Sequence, residues 1–124
     1  AAQPTEEGGY DVARRVAALA QRPDAIVLSN VSHTTGFYHG LAEAGLRPGE
    51  DIGVIGFASE SSRFLAPRLT AFHQDPRQIG RMLAEALLRR MQKVGHTPES
   101  ADAPQRETWT VQLVEGESDP LRPT

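Results

Sequence analysis

The spacing of apolar positions changes from segment to segment along the chain. From Gly9 to Gln21, Val12, Val16, Leu19 and Ala20 recur at helical intervals, with Arg14, Arg15 and Gln21 mostly off that stripe. Arg22-Pro23-Asp24 ends the helix, because proline cannot continue a helix interior. Ala25-Ile26-Val27-Leu28-Ser29 is a short apolar run and predicts a buried strand. Asn30, Val31 and Ser32 form a tight turn into a helix from about His33 to Ala44, with Phe37, Leu41 and Ala44 on one face. Gly45 suits a left-handed cap, with Leu46 packing back on the last turn.

Pro48-Gly49 turns the chain into Asp51-Ile52-Gly53-Val54-Ile55-Gly56-Phe57, which predicts a strand buried on both faces, as in a parallel sheet. Gly53 and Gly56 permit close approach of helices. Polar Ser59, Glu60, Ser61 and Ser62 follow at its carboxyl end, the side where ligands sit in open α/β sheets. Arg63 to Pro67 reads as one short helical turn and a break, and Leu69 to Gln74 as a further strand. Asp75 then stands at an N-cap position and Pro76 at the first helical position. Ile79, Met82, Leu83, Ala86, Leu87 and Met91 give the cleanest amphipathic pattern. Gly95 to Pro104 is rich in Gly, Pro, Ser and Asp and reads as a mobile loop. Thr108 to Val114 alternates, with Trp109, Val111 and Leu113 on one side, as in a half-exposed edge strand. The tail from Glu115 to Thr124 is expected to fray.

The order helix, strand, helix, strand, strand, helix, strand defines an α/β layered protein. It opens on a helix with no strand before it, so the expectation is a partial doubly wound parallel sheet belonging to a larger one. Composition narrows the function classes. The 124 residues suffice for about one domain. A net charge of −3, with no basic tract beyond Arg14-Arg15 and Arg89-Arg90, is not the surplus a nucleic-acid surface needs. Without cysteine there is neither a disulfide framework nor a thiolate metal site. That usage fits a reducing cytoplasm. No apolar run approaches the roughly 20 residues of a membrane span, and polar Ala1 to Gly9 does not read as an export leader.

Catalytic and metal chemistry find little support. His39, His73 and His96 are scattered without the pair spacing of a metal site, and no cofactor is expected. Ser32, His33 and Glu60 could be drawn as nucleophile, base and orienter, but no Gly-x-Ser-x-Gly elbow and no phosphate-binding glycine loop accompanies them, so the chain is not read as an enzyme. His33, at a helix start beside Ser32, could face an anion or be a solvated turn histidine. Trp109 could stack on a ligand or cover an edge strand.

Three segments together resemble the LacI/GalR family of bacterial transcriptional regulators. Ala25-Ile26-Val27-Leu28-Ser29-Asn30 looks like the family's strand and turn, and Gly36 to Phe57 looks like the helix and strand that follow. Pro67-Arg68-Leu69-Thr70-Ala71-Phe72-His73-Gln74-Asp75-Pro76 resembles the segment crossing to the other lobe. The resemblance runs from about Gly9 to Glu117 in the same order and with close spacing. It implies a periplasmic-binding-protein-like fold of type I, in which two lobes close on a small-molecule effector and bias how a homodimer presents its DNA-binding headpieces.

On that pattern residues 1–74 are the C-terminal lobe, 75–94 a crossover helix of the N-terminal lobe, 95–107 a mobile loop, 108–118 the returning strand and 119–124 a tail. The helix-turn-helix that contacts operator DNA lies outside the pattern covered here. Asn30 matches the family asparagine at the cleft, where its amide could donate to and accept from a sugar hydroxyl; the same side chain could instead cap the following helix. Gln74 matches a glutamine near the cleft that could equally fix the hinge. Phe57 and Ser59 complete the candidate effector site. Val31 and Ala58 stand where the family commonly carries Asp, so an acceptor pair for sugar hydroxyls is missing. Phe64 and Leu65 fall where the family makes subunit contacts. An exported sugar-binding protein of the same fold is the alternative reading.

Overall fold

The computed structural model describes residues 3–93 and 108–119. The chain divides into two compact units, one made of residues 1–73 and 111–124 and the other of residues 74–110.

In the first unit, helix α1 (Glu6–Ala17) starts where Thr5 accepts a hydrogen bond from the Gly8 N–H at 3.0 Å. Glu6 and Glu7 in its first turn and Arg14 and Arg15 in its last complement the helix dipole. It therefore begins three residues before the apolar spacing predicts, because the cap precedes the stripe. It also ends earlier, and Leu19, expected on the buried face, lies beyond it and is 51% exposed. Helix α2 (Val31–Glu43) starts at Val31 rather than His33, with Asn30 as its cap. Phe37 and Leu41 are fully buried on its inner face, whereas Ala44 is an exposed cap residue. Gly45 adopts φ +72° and the Leu46 N–H returns to the Leu41 carbonyl, closing the helix as expected.

The two helices meet along a seam of small residues. A side chain at Gly9 would run into the His33 backbone, and one at Gly36 into the Glu6 carbonyl oxygen. A Cβ on Gly40 would come within 2.7 Å of Ala13 Cβ. Gly36 and Gly40, one helical turn apart, thus let the two backbones approach closely.

Strands β1 (Ala25–Val27), β2 (Gly53–Phe57), β3 (Thr70–His73) and β4 (Gln112–Val114) form one sheet in the order β1-β2-β3-β4. The first three run parallel, and β4 is antiparallel to β3. Register sets Ile26 beside Val54, Val27 beside Ile55, Phe57 beside Phe72 and Phe72 beside Leu113. One face, carrying Leu28, Val54 and Ala71, joins Ala13, Phe37 and Leu41 in the core. Side chains alternate along a strand, so Val27, Ile55, Phe57, Phe72 and Leu113 share the other face. Val27 is 65% exposed there and Leu113 52%. The expectation of strands buried on both faces holds for β2, whose residues are all buried or half-buried, but not for β1 among the described residues, where Val27 is exposed.

The end of the first unit is more ordered than expected. Ser118 is fully buried and fills the opening between β2 and the start of β3. Its hydroxyl donates to the Val54 carbonyl at 2.6 Å and accepts from the Thr70 N–H at 2.8 Å. Its carbonyl accepts from the Val54 N–H at 2.7 Å. Fraying from Glu115 onward is thus wrong as far as Ser118; residues 120–124 lie outside the described residues. Strand β4 is shorter than expected, with Trp109 and Val111 preceding it.

The second unit contains α3 (Pro76–Lys93). Asp75 caps it as expected, Oδ1 accepting from the Arg77 and Gln78 N–H groups at 2.9 and 3.3 Å. Leu83, Leu87 and Met91 are exposed along it. The expected mobile loop at 95–104 lies outside the described residues.

Candidate functional site

The carboxyl ends of β1 and β2 carry most of the candidate residues. The chain leaves β1 at Asn30, whose extended backbone (φ −131°, ψ 130°) turns it into α2. Its Oδ1 accepts from the Ser32 N–H at 2.8 Å, so the capping role is realised. One lone pair of that amide oxygen is engaged by the helix; the amide keeps a second lone pair and its two Nδ2 N–H donors. Val31, next in the chain, is 39% exposed.

At the end of β2, Phe57 is half-buried and its ring lies 5.6 Å from that of Phe72. Ala58 packs against the core, its N–H bonding the Phe72 carbonyl at 2.9 Å. Ser59 then caps a 3-10 helix spanning Glu60–Phe64, longer and earlier than the short turn expected from Arg63. The Ser59 N–H donates to Ser62 Oγ at 2.9 Å, and the Ser59 hydroxyl lies 2.8 and 3.1 Å from those of Ser61 and Ser62. Three hydroxyls are thereby linked, and of the three residues Ser62 is buried. Gln74 is exposed and belongs to the second unit.

Phe64 and Leu65 follow the 3-10 helix. Phe64 is 76% exposed, with the Arg63 guanidinium 4.7 Å from its ring centroid. Both residues line an open groove of about 980 Å³ together with Tyr38, Leu46, Arg47 and Pro67. The Tyr38 hydroxyl is buried without a hydrogen-bond partner. Burial pushes its pKa above the usual 10, and the neighbouring Ser118 hydroxyl opposes that shift in part.

His33 is half-buried, and its Nε2 lies 2.6 Å from the Gln3 carbonyl, tying the segment before α1 to α2. No group of three or more His, Cys, Asp or Glu with a metal-holding arrangement occurs among the described residues. Ser118 is the residue the sequence hid most completely, a lone serine in a polar tail with no periodicity to mark it.

Residues 1–118 match the periplasmic binding protein-like domain. The chain belongs to that family. The repressor resemblance is borne out as well: the HTH-type transcriptional repressor PurR of Glaesserella parasuis is 33% identical over 109 residues, 87% of this chain and 32% of that protein. The ribose operon repressor of Escherichia coli is 33% identical over 85 residues, 68% of this chain and 26% of that protein. The chain thus spans about a third or less of these curated relatives. Among solved structures, a LacI family regulator of Enterococcus faecalis with bound ribose superposes with a TM-score of 0.79 at 29% identity, covering 98% of this chain and 43% of that one. A LacI family regulator of an Arthrobacter species in complex with lactose gives 0.77 at 28%, covering 95% and 42%. For a periplasmic binding protein-like domain, a mostly parallel sheet with polar residues gathered at its strand ends is the expected construction. No described helix is long and apolar enough to cross a membrane.

Proposed function

We propose that this chain is the effector-sensing part of a LacI/GalR-type transcriptional regulator. The observation that carries the reading is the match across residues 1–118, combined with Asn30 and Ser59 at the ends of adjacent parallel strands. Repressor relatives favour it over an exported sugar-binding protein, and over an enzyme. In this reading a small polar metabolite binds at the carboxyl ends of β1 and β2, held by Asn30, Ser59 and Phe57. Residues 1–74 form the C-terminal lobe, and α3 belongs to the N-terminal lobe. Operator DNA is contacted by a helix-turn-helix elsewhere in the full-length protein, not by this chain, whose net charge is −3. Exposed Phe64, with Leu65 beside the groove, supplies part of a homodimer contact. Such a regulator works in the cytoplasm.

Ligand-dependent stabilisation tests the binding role. At about 100 times its Kd, an effector should stabilise the full-length protein by about 2.7 kcal/mol and raise the unfolding midpoint in a concentration-dependent way. A broad panel of sugars, nucleobases and polar metabolites that leaves the midpoint unmoved would remove the sensing role.

A further inference from the structure

Helix α3 carries charge of the opposite sign to the chain as a whole. From Pro76 to Gln92 it holds four arginines, Arg77, Arg81, Arg89 and Arg90, against one acid, Glu85, whereas the whole chain has a net charge of −3. At 3.6 residues per turn, Arg77, Arg81, Ala84 and Leu88 fall on one face, spaced i, i+4, i+7 and i+11. All four are exposed, Leu88 at 56%. Half-buried Ile79, Met82 and Ala86 lie nearly opposite, and Leu83, Leu87 and Met91 adjoin them along one flank. That apolar stripe takes in every large apolar residue of the helix from Pro76 to Gln92 except Leu88.

An amphipathic helix packs its stripe and leaves the opposite face to water. Leu88 therefore stays on the surface even where the stripe is covered. Arg77 breaks a second local rule. It stands in the first turn, where the helix dipole favours acids, and that turn contains none. Two arginines and a leucine on one exposed face have the make-up of a protein interface, in which arginine is enriched and apolar contact is bordered by charge. The face is about 16 Å long from Arg77 to Leu88, the scale of a protein surface rather than of a metabolite. The planar guanidinium fork pairs with a carboxylate through two parallel hydrogen bonds and loses less hydration than an ammonium would. Operator DNA is the poorer match, since Glu85 on the adjoining flank repels phosphate and Leu88 has no apolar partner on a phosphate backbone.

From this arrangement we infer that the face of α3 formed by Arg77, Arg81, Ala84 and Leu88 docks a second protein, one that presents carboxylates beside an apolar side chain. The inference goes beyond the effector-sensing reading and does not depend on which molecule binds at the strand ends. It gives the regulator a second input, delivered by a protein.

The test uses the full-length protein as bait in a nuclease-treated lysate of its source organism. Each retained protein is identified by mass spectrometry, purified and titrated against wild type and variants. At least one acidic protein should bind the purified wild type, more weakly as salt is raised. The double variant Arg77→Glu/Arg81→Glu should weaken it more than about tenfold, because like charges then meet across the contact. Leu88→Asp should weaken it as well. The unfolding midpoint of each variant should stay within about 2 °C, since the altered side chains are exposed. Should the charge reversal disturb folding, Arg77→Gln/Arg81→Gln removes the cations without reversing them and should still weaken binding at least about threefold. Retention of no protein that binds once purified would overturn the inference. So would a retained protein whose affinity ignores all these variants, or retention that disappears when nuclease is added, which would assign the face to nucleic acid.

Discussion

The two faces of the sheet are built from the same strands, yet they have opposite fates. Val54, Leu28 and Ala71 point to the face that α1 and α2 cover, and they sit in one core with Phe37 and Leu41. Val27, Ile55, Phe57, Phe72 and Leu113 point the other way, and none of them enters that core. The covered face owes its closure to glycine as much as to leucine. Gly36 and Gly40 bring α2 close enough to α1 for both helices to pack as one layer. Apolar strand positions therefore differ in burial according to which face a helix layer covers.

The largest expected effect falls on the seam. Gly36→Val drives a side chain into the Glu6 carbonyl and should cost about 3 kcal/mol or more, at the upper end for overpacking. Urea unfolding checks this, and a wild-type midpoint would mean the helices are not closely apposed. Next comes the contrast between faces. Phe37→Ala should cost about 3–5 kcal/mol, the range for a fully buried phenylalanine, while Phe57→Ala should cost clearly less. Equal losses would show that the open face is as enclosed as the other in the folded protein.

Smaller effects probe how the sheet is held at its amino end. Ser118→Ala leaves the Thr70 N–H without its acceptor, for an expected loss of about 1–3 kcal/mol. A neutral result would mean that the segment after β4 does not plug the sheet. Smallest is Tyr38→Phe. It deletes a buried hydroxyl that has no partner and should change stability by less than about 1 kcal/mol at neutral pH. Above pH 10 the effect grows. Burial raises the Tyr38 pKa in the folded state, so its contribution is fully present below 10 and is lost as pH rises through the raised value. Tyr38→Phe should therefore flatten the alkaline end of a stability–pH curve, and an unchanged slope would place the hydroxyl in water.

Much of this architecture can be read from local chemistry. Gly45-Leu46 and Asp75-Pro76 mark helix boundaries because a left-handed cap and an N-cap each require particular residue types at fixed positions. Phe37 and Leu41 announce the inner face of α2 by their spacing. Other features depend on partners distant in the chain. The start of α1 follows from Thr5, outside the apolar stripe, and the role of Ser118 follows from Val54 and Thr70, more than 45 positions away. Which strand face is covered has no local signature, since Val27 and Val54 are equally apolar. At the candidate site the sequence points to Asn30 but not to the direction of its hydrogen bonds. That direction emerges only once Oδ1 is seen to cap α2.

The central claim is that a small molecule bound at these strand ends governs a DNA-binding regulator. It is tested most directly by fluorescence anisotropy of labelled operator DNA with the full-length protein, titrated with and without sugars and heterocycles. The account predicts that at least one compound shifts the apparent operator affinity by about 5–150-fold, the usual range of allosteric coupling, and that Asn30→Asp abolishes the shift while operator binding persists. Operator binding that no compound alters, or that Asn30→Asp leaves fully responsive, would contradict it.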